Sequence, residues 1–234
     1  MKMIGLIGGM SWESTAVYYR LLNELCRERL GGLHSASLLL WSFDFAEIER
    51  VQEDSDWEGA AARLTHAAKA LRSAGAECIV ICTNTMHRAA EAVEQAAELP
   101  LIHIADATAA AIRASGSLRP LLLGTRYTME QDFYRGRLRD KHGIDVMIPG
   151  TEEREMIHAT IFRELCRGDI RESSRVRFLE IIERARTRGA DSVILGCTEI
   201  GLLIDASHTT TTLFDSTRIH AQAALEYALD DSKR

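Results

Sequence analysis

The stretch Gly75-Ala76-Glu77-Cys78-Ile79-Val80-Ile81-Cys82-Thr83 recurs without gaps as Gly189-Ala190-Asp191-Ser192-Val193-Ile194-Leu195-Gly196-Cys197, at an offset of 114 positions. Every pair before the last two is identical or chemically similar. Each copy has a Gly-Ala that suits a helix stop, then an acid, then a short apolar run of the kind found in buried parallel strands. A second match, Gly8 with Gly124, falls at an offset of 116. Two matches at nearly one offset indicate an internally repeated chain with halves of roughly 100 residues. We expect an N-terminal half over 1–100 and a C-terminal half over 117–215, with a C-terminal helix at 216–230 packing back on the first.

Working outward from the repeat, short apolar runs alternate with amphipathic segments. Strands are expected at Met3–Ile7, Ala36–Trp41, Cys78–Cys82, Leu101–Ile104, Pro120–Leu123, Asp145–Ile148 and Ser192–Leu195. Helices are expected at Ser14–Arg29, Trp57–Ala74, Thr85–Ala97, Thr108–Ala114, Met129–Lys141, Glu152–Arg167, Ser173–Arg188 and Thr217–Leu229. The alternation predicts an α/β fold of two similar halves, each a mostly parallel sheet flanked by helices. Such sheets bind ligands at the carboxyl ends of their strands, so an active site in the cleft between the halves is expected. The repeat then makes Thr83 and Cys197 equivalent positions facing one ligand.

Composition narrows the function. With 234 residues, 46% hydrophobic and only three prolines, the chain can bury a sizeable core. A net charge of −6 with interspersed signs argues against nucleic acid or an anionic membrane as main partner. Met1-Lys2 leads into Ile4-Gly5-Leu6-Ile7, too short for an export signal or a membrane span. Five scattered cysteines (Cys26, Cys78, Cys82, Cys166, Cys197) read as reduced thiols of a cytoplasmic protein. None has zinc spacing, and no metal is expected.

The turn Leu195-Gly196-Cys197-Thr198-Glu199 is the strongest candidate for chemistry. A cysteine just past a strand end, with a helix start behind it, gains from turn N–H groups and a positive helix end, and both favour thiolate. The plain alternative is a buried small apolar residue. Its counterpart, Cys82-Thr83-Asn84-Thr85-Met86-His87, offers hydroxyls, an amide and turn N–H groups to a carboxylate, or ordinary helix capping by Asn84 or Thr85. Gly8-Gly9-Met10-Ser11 lacks dinucleotide-fingerprint spacing; its glycines are read as allowing backbone approach to a small ligand. His87, His103, Cys26, Cys78 and Cys166 are taken as core or helix-surface residues, His87 being the least secure.

These turns carry a family resemblance over essentially the whole chain. Through Ile4-Gly5-Leu6-Ile7-Gly8-Gly9-Met10, Thr83-Asn84-Thr85-Met86-His87, Leu123-Gly124-Thr125 and Gly196-Cys197-Thr198-Glu199, the chain resembles the aspartate/glutamate racemase family. Glu199 is typical of its aspartate-racemase branch. Gly8–Tyr19 and Ile102–Gly136 are similar to the enterobacterial broad-specificity amino-acid racemase group. The resemblance implies an isomerase that racemises amino acids without pyridoxal phosphate or any other cofactor, usually as a homodimer. Family members place two cysteines on opposite faces of the α-carbon, one removing the proton and the other returning one.

Here the chain departs from the family. Its first motif begins with cysteine, and the chain has Thr83. Cys82, one residue earlier, is turned away by strand alternation and would need a local shift of the turn to take part. A threonine hydroxyl is a far weaker acid than a thiol, so it is a poor base but still able to donate a hydrogen bond or proton. We therefore expect an unequal pair, with Cys197 as base and Thr83 as donor or orienter; in the family the C-terminal cysteine serves the L-enantiomer, so the resemblance implies a bias toward L-substrates. Substrate contacts are expected from Met10, Gln52, Asn84, Thr85, Thr198 and Glu199. Gln52 is placed in the loop after the second strand; Glu199 is assigned either to the ammonium or to capping the next helix. Arg50 and Arg126 are candidate anchors for an acidic side chain. Two other readings are a single-cysteine decarboxylase of related fold and a non-catalytic amino-acid-binding protein.

Overall fold

Ile4–Gly8 forms β1, buried at every position, followed by helix α1 (Trp12–Leu30). Next come β2 (Leu38–Ser42), α2 (Phe45–Glu53), α3 (Trp57–Ser73) and β3 (Cys78–Ile81). A 3-10 turn at Thr85–Ala89 leads into α4 (Ala90–Ala97). The strands make a parallel sheet in the order β2-β1-β3, with Ile4 level with both Leu38 and Cys78. The computed structural model describes residues 1–230, and this first unit spans residues 1–103 together with the chain from His220 onward.

The second unit, Ile104–Ile219, opens with α5 (Ile104–Ser115) and β4 (Pro120–Gly124). Helices α6 (Arg126–Glu130), α7 (Asp132–His142), α8 (Thr151–Arg163) and α9 (Glu172–Thr187) follow, with a 3-10 turn at Leu165–Arg167. Then come β5 (Ser192–Gly196), α10 (Ile200–Leu203), β6 (Thr212–Asp215) and α11 (Ser216–Leu229). Its sheet is also parallel, in the order β4-β5-β6.

The repeat is visible in how the strands pair. β1 lies beside β3 as β4 lies beside β5, and each sheet has a further outer position reduced to one bridge. Two expected strands become these bridges. Leu101–Ile104 contributes only Leu101 beside Ile79, because the chain winds into α5 at Ile104. Asp145–Ile148 contributes only Met147 beside Leu121, and Pro149, which has no N–H to donate, follows at once. β6 escaped the sequence reading because its half-exposed residues follow a run of threonines rather than forming an apolar run.

Three expected helices are also interrupted. Thr85–Ala97 is a 3-10 turn followed by α4; Met129–Lys141 breaks at Gln131, whose backbone is extended; Glu152–Arg167 ends as a helix at Arg163. Helix α2 was not anticipated at all. The segment 101–116, assigned to neither half on sequence, divides between His103 and Ile104.

The helices after the two sheets sit in different cores. α5 supplies Ile104, Ala109 and Ile112 to the cluster built on β4 and β5. The body of α11 supplies Ala221, Ala224, Leu225 and Ala228 to the cluster built on Ile4, Leu6, Val80 and Cys82. Helix α5 is further tied to α7 by Asp106, which binds Arg137 at 2.7 and 2.8 Å and also receives Lys141 and His142. Those donors together overcome the cost of partial burial and hold the Asp106 carboxyl well below the usual carboxylate range. Among the described residues no helix is long and apolar enough to cross a membrane.

Candidate active site

Parallel strands bring their carboxyl ends to one edge of each sheet. In the first unit that edge carries Gly9–Ser11 after β1 and Thr83–Thr85 after β3; in the second, Thr125 after β4 and Cys197–Glu199 after β5.

Glycines set how these turns leave the sheet. Gly124 and Gly196 are paired in register, and a Cβ on Gly196 would lie 2.8 Å from both Leu122 Cδ1 and Leu123 O. The neighbouring strand is therefore packed against the residue before Cys197, and only glycine fits there. Gly9 has φ +79°, and a Cβ on it would meet Phe43 backbone atoms at 2.2 and 2.3 Å. Gly8 is crowded by Thr15, whose Oγ1 accepts the Gly9 N–H at 2.8 Å. The space that a side chain would take at these two glycines is thus filled by the protein's own chain.

Cys197 is buried, and its Sγ–H donates to Glu199 Oε2 at 2.9 Å. Burial pushes the thiol well above its ordinary range. The charge of Glu199 adds to this, as does Cys166 from the 3-10 turn packed on α10, and the Glu199 N–H opposes it. The expected thiolate-favouring turn is therefore outweighed: α10 is only four residues long, and its positive end is small against the loss of water. Glu199 forms no side-chain cap on α10; its carboxylate is turned to the thiol. Thr198 beside it is buried.

Thr83 is half-buried just past β3, with its N–H turned back to Ile81 O at 2.8 Å and its carbonyl accepting from His87 Nδ1 at 2.7 Å. Asn84 and Thr85 are buried, and Asn84 makes no side-chain cap on the 3-10 turn. Cys82 lies in the apolar cluster of Ile4, Leu6 and Tyr18, and full burial pushes its thiol up. A part for Cys82 would require pulling it out of that core.

Gln52 is neither in a loop nor solvated. It is buried on α2, and its Nε2 donates to Met86 Sδ at 3.2 Å, setting the amide against the turn after Thr83. The spacing Ile48, Val51, Gln52 was the readable sign of a buried helix face there. Met10 packs with Ile48, Val51 and Met86 in the core. Arg50 and Arg126 are both exposed, and Arg126 stacks 5.8 Å from the Tyr127 ring.

A family model for Asp/Glu/hydantoin racemases matches residues 7–224. The chain belongs to that family. Its structure superposes on a candidate Asp/Glu racemase from Yersinia pestis with a TM-score of 0.91 at 53% identity, covering 98% of this chain and 100% of that one. An aspartate racemase homologue from Pyrococcus horikoshii OT3 gives 0.85 at 37% identity, covering 98% and 100%. An aspartate racemase from Picrophilus torridus gives 0.81 at 23% identity, covering 97% and 94%, which shows the common fold.

Within this racemase-family chain, the sequence reading took His87 and His103 singly as core or helix-surface residues and did not foresee that they meet each other and His220. Behind Thr83 the rings of His87 and His103 lie 4.7 Å apart, and those of His87 and His220 lie 5.4 Å apart, all three residues buried. No local pattern announces the group, since its members come from three separate stretches of chain. The presence of His87 in the motif was the one available sign.

Proposed function

We propose that this protein is a cofactor-independent amino-acid racemase in which Cys197 removes the α-proton of an L-amino acid and the proton is returned from the opposite face near Thr83. The observation that carries this reading is the buried Cys197–Glu199 pair, joined at 2.9 Å just past β5. The two groups hold one proton over one negative charge. When the proton passes from sulfur to the carboxylate, the sulfur becomes the base; this shift between two neighbouring buried groups needs no solvent ion. Turn N–H groups and hydroxyls around Asn84, Thr85 and Thr198 suit an α-carboxylate, and binding it also spreads charge as the carbanion forms. Gln52, whose amide meets Met86, and Met10 stand in the first unit's core, and this reading assigns both to substrate contact.

The pair is unequal. Thr83 cannot match a thiol as a base, so proton removal from D-substrates is the slower direction. Side-chain preference is broad in this reading, because Gly8–Tyr19 and Ile102–Gly136 resemble the broad-specificity amino-acid racemase group. The protein works in the cytoplasm as a homodimer. None of its five cysteines forms a disulfide, and Trp12 and Tyr19, seven residues apart on one face of α1, are exposed and apolar enough to meet a second copy.

A panel of L- and D-amino acids in D₂O, scored by α-deuterium incorporation, tests the reading. Exchange of L-substrates much faster than of their D-partners, abolished by Cys197→Ser, is the expected result. Full activity of Cys197→Ser, or equal rates on both hands, would overturn it. Loss of CO₂ from an arylmalonate with no amino-acid exchange would instead mark a decarboxylase.

A further inference from the structure

We propose that His87 is a positioning residue for Thr83, braced by His103, His220 and Tyr18, and that it governs the return of the proton on the Thr83 face. This inference rests on the racemase reading above and concerns only that half of the reaction.

The turn that carries Thr83 has little regular structure to hold it. β3 ends at Ile81, the Thr83 N–H folds back on Ile81 O, and the following helix begins as a 3-10 turn, whose hydrogen bonds are poorly aligned. A side chain also ties the turn down. His87, one turn on, places Nδ1 at 2.7 Å from Thr83 O. A carbonyl can only accept, so Nδ1 carries the hydrogen.

The His87 ring is itself held. It is tilted at 60° against His103 and lies edge-on to His220. His220 is fixed from both sides: Nε2–H donates to Ile102 O at 2.6 Å, and Nδ1 accepts from Tyr18 Oη–H at 2.7 Å. Among the described residues no group of three His, Cys, Asp or Glu is arranged to hold a metal ion. With Tyr18 of α1, the three histidines form a chain of rings drawn from the 3-10 turn, the segment after Leu101 and α11, and its end at His87 meets the carbonyl of Thr83, the residue that the racemase reading sets against substrate. A hydroxyl that must meet a short-lived carbanion depends strongly on placement, and an ångström of drift costs one to two orders of magnitude.

The test compares His87→Asn with His87→Gln in D₂O with an L-substrate. Asparagine keeps an N–H donor where Nδ1 stood; glutamine carries its amide farther out. Each enzyme is scored for α-deuterium incorporation with retention, which needs Cys197 alone, and for inversion, which needs the Thr83 face. We expect His87→Gln to lower the ratio of inversion to retained exchange by ~10-fold or more, with His87→Asn within about threefold of the parent. Equal loss in both reactions, or an unchanged ratio in His87→Gln, overturns the inference and leaves the racemase reading standing. Absence of L-exchange in the parent enzyme would overturn the racemase reading instead. Should a variant not fold, nitrogen-15 NMR of the parent decides: a neutral His87 with its hydrogen on Nδ1 supports the assignment, and the Nε2–H form overturns it.

Discussion

Cys197 aims its thiol hydrogen at Glu199 Oε2 from 2.9 Å, and both residues are buried. Two effects of Glu199 therefore oppose each other. Its charge raises the thiol, which makes thiolate scarce, while its oxygen offers the proton a place to go.

Glu199→Gln separates these effects. With the charge gone, the thiol should titrate at lower pH, read as faster iodoacetamide alkylation of Cys197 near neutrality. The proton acceptor is lost as well, so L-substrate exchange should fall by about 10²-fold, within the range for removing a general base. Faster alkylation with undiminished exchange would show that Glu199 has no part in moving the proton.

Thr83→Cys tests the inequality of the two faces. A thiol at this position is a much stronger acid than the hydroxyl, and α-proton exchange of D-substrates should rise by at least ~10-fold, with L-exchange little changed. An unchanged ratio of D to L rates would mean that residue 83 does not face the α-carbon.

His220 predicts an acid-side loss of stability. Full burial drives its pKa down to about 4 in the folded protein, partly resisted by its bond to Ile102 O, against ~6.5 in an unfolded chain. A lowered folded value means the contribution is complete above ~6.5 and is lost as pH falls through about 4, because the unfolded chain takes up the proton first. The shift corresponds to stability on the order of 3 kcal/mol over that window. Urea unfolding from pH 7 to 4 should therefore show a steeper decline than in His220→Gln; identical slopes would contradict the buried neutral ring.

Gly196→Ala probes the strand end. The added methyl would press on Leu122 Cδ1 and Leu123 O, a backbone atom that cannot turn aside. Overpacking of this kind costs about 1–3 kcal/mol. A lowered Tm with L-exchange falling further than folding alone explains is the expected outcome, since Cys197 is the next residue. A variant with parental exchange would show that the site tolerates movement of β5.

Much of this protein follows from local sequence. Continuous apolar runs at Ile4–Gly8, Pro120–Gly124 and Ser192–Gly196 can only be satisfied inside a covered parallel sheet, and the Gly75/Gly189 repeat relates the two units before any contact is known. The strand-end position of Cys197 and the threonine at position 83 are likewise matters of spacing and identity. Tertiary structure decided the rest. Whether Leu101 and Met147 extend a strand or make one bridge depends on where the chain must next turn, and β6 forms because β5 offers it an open edge. Gln52 is buried because α2 packs beside Met86, and His87 meets His103 and His220 only after distant segments converge. The protonation of Cys197 reverses the local expectation for the same reason. A helix start acts over one turn, but desolvation and the Glu199 charge act through the surrounding packed core, and they outweigh it.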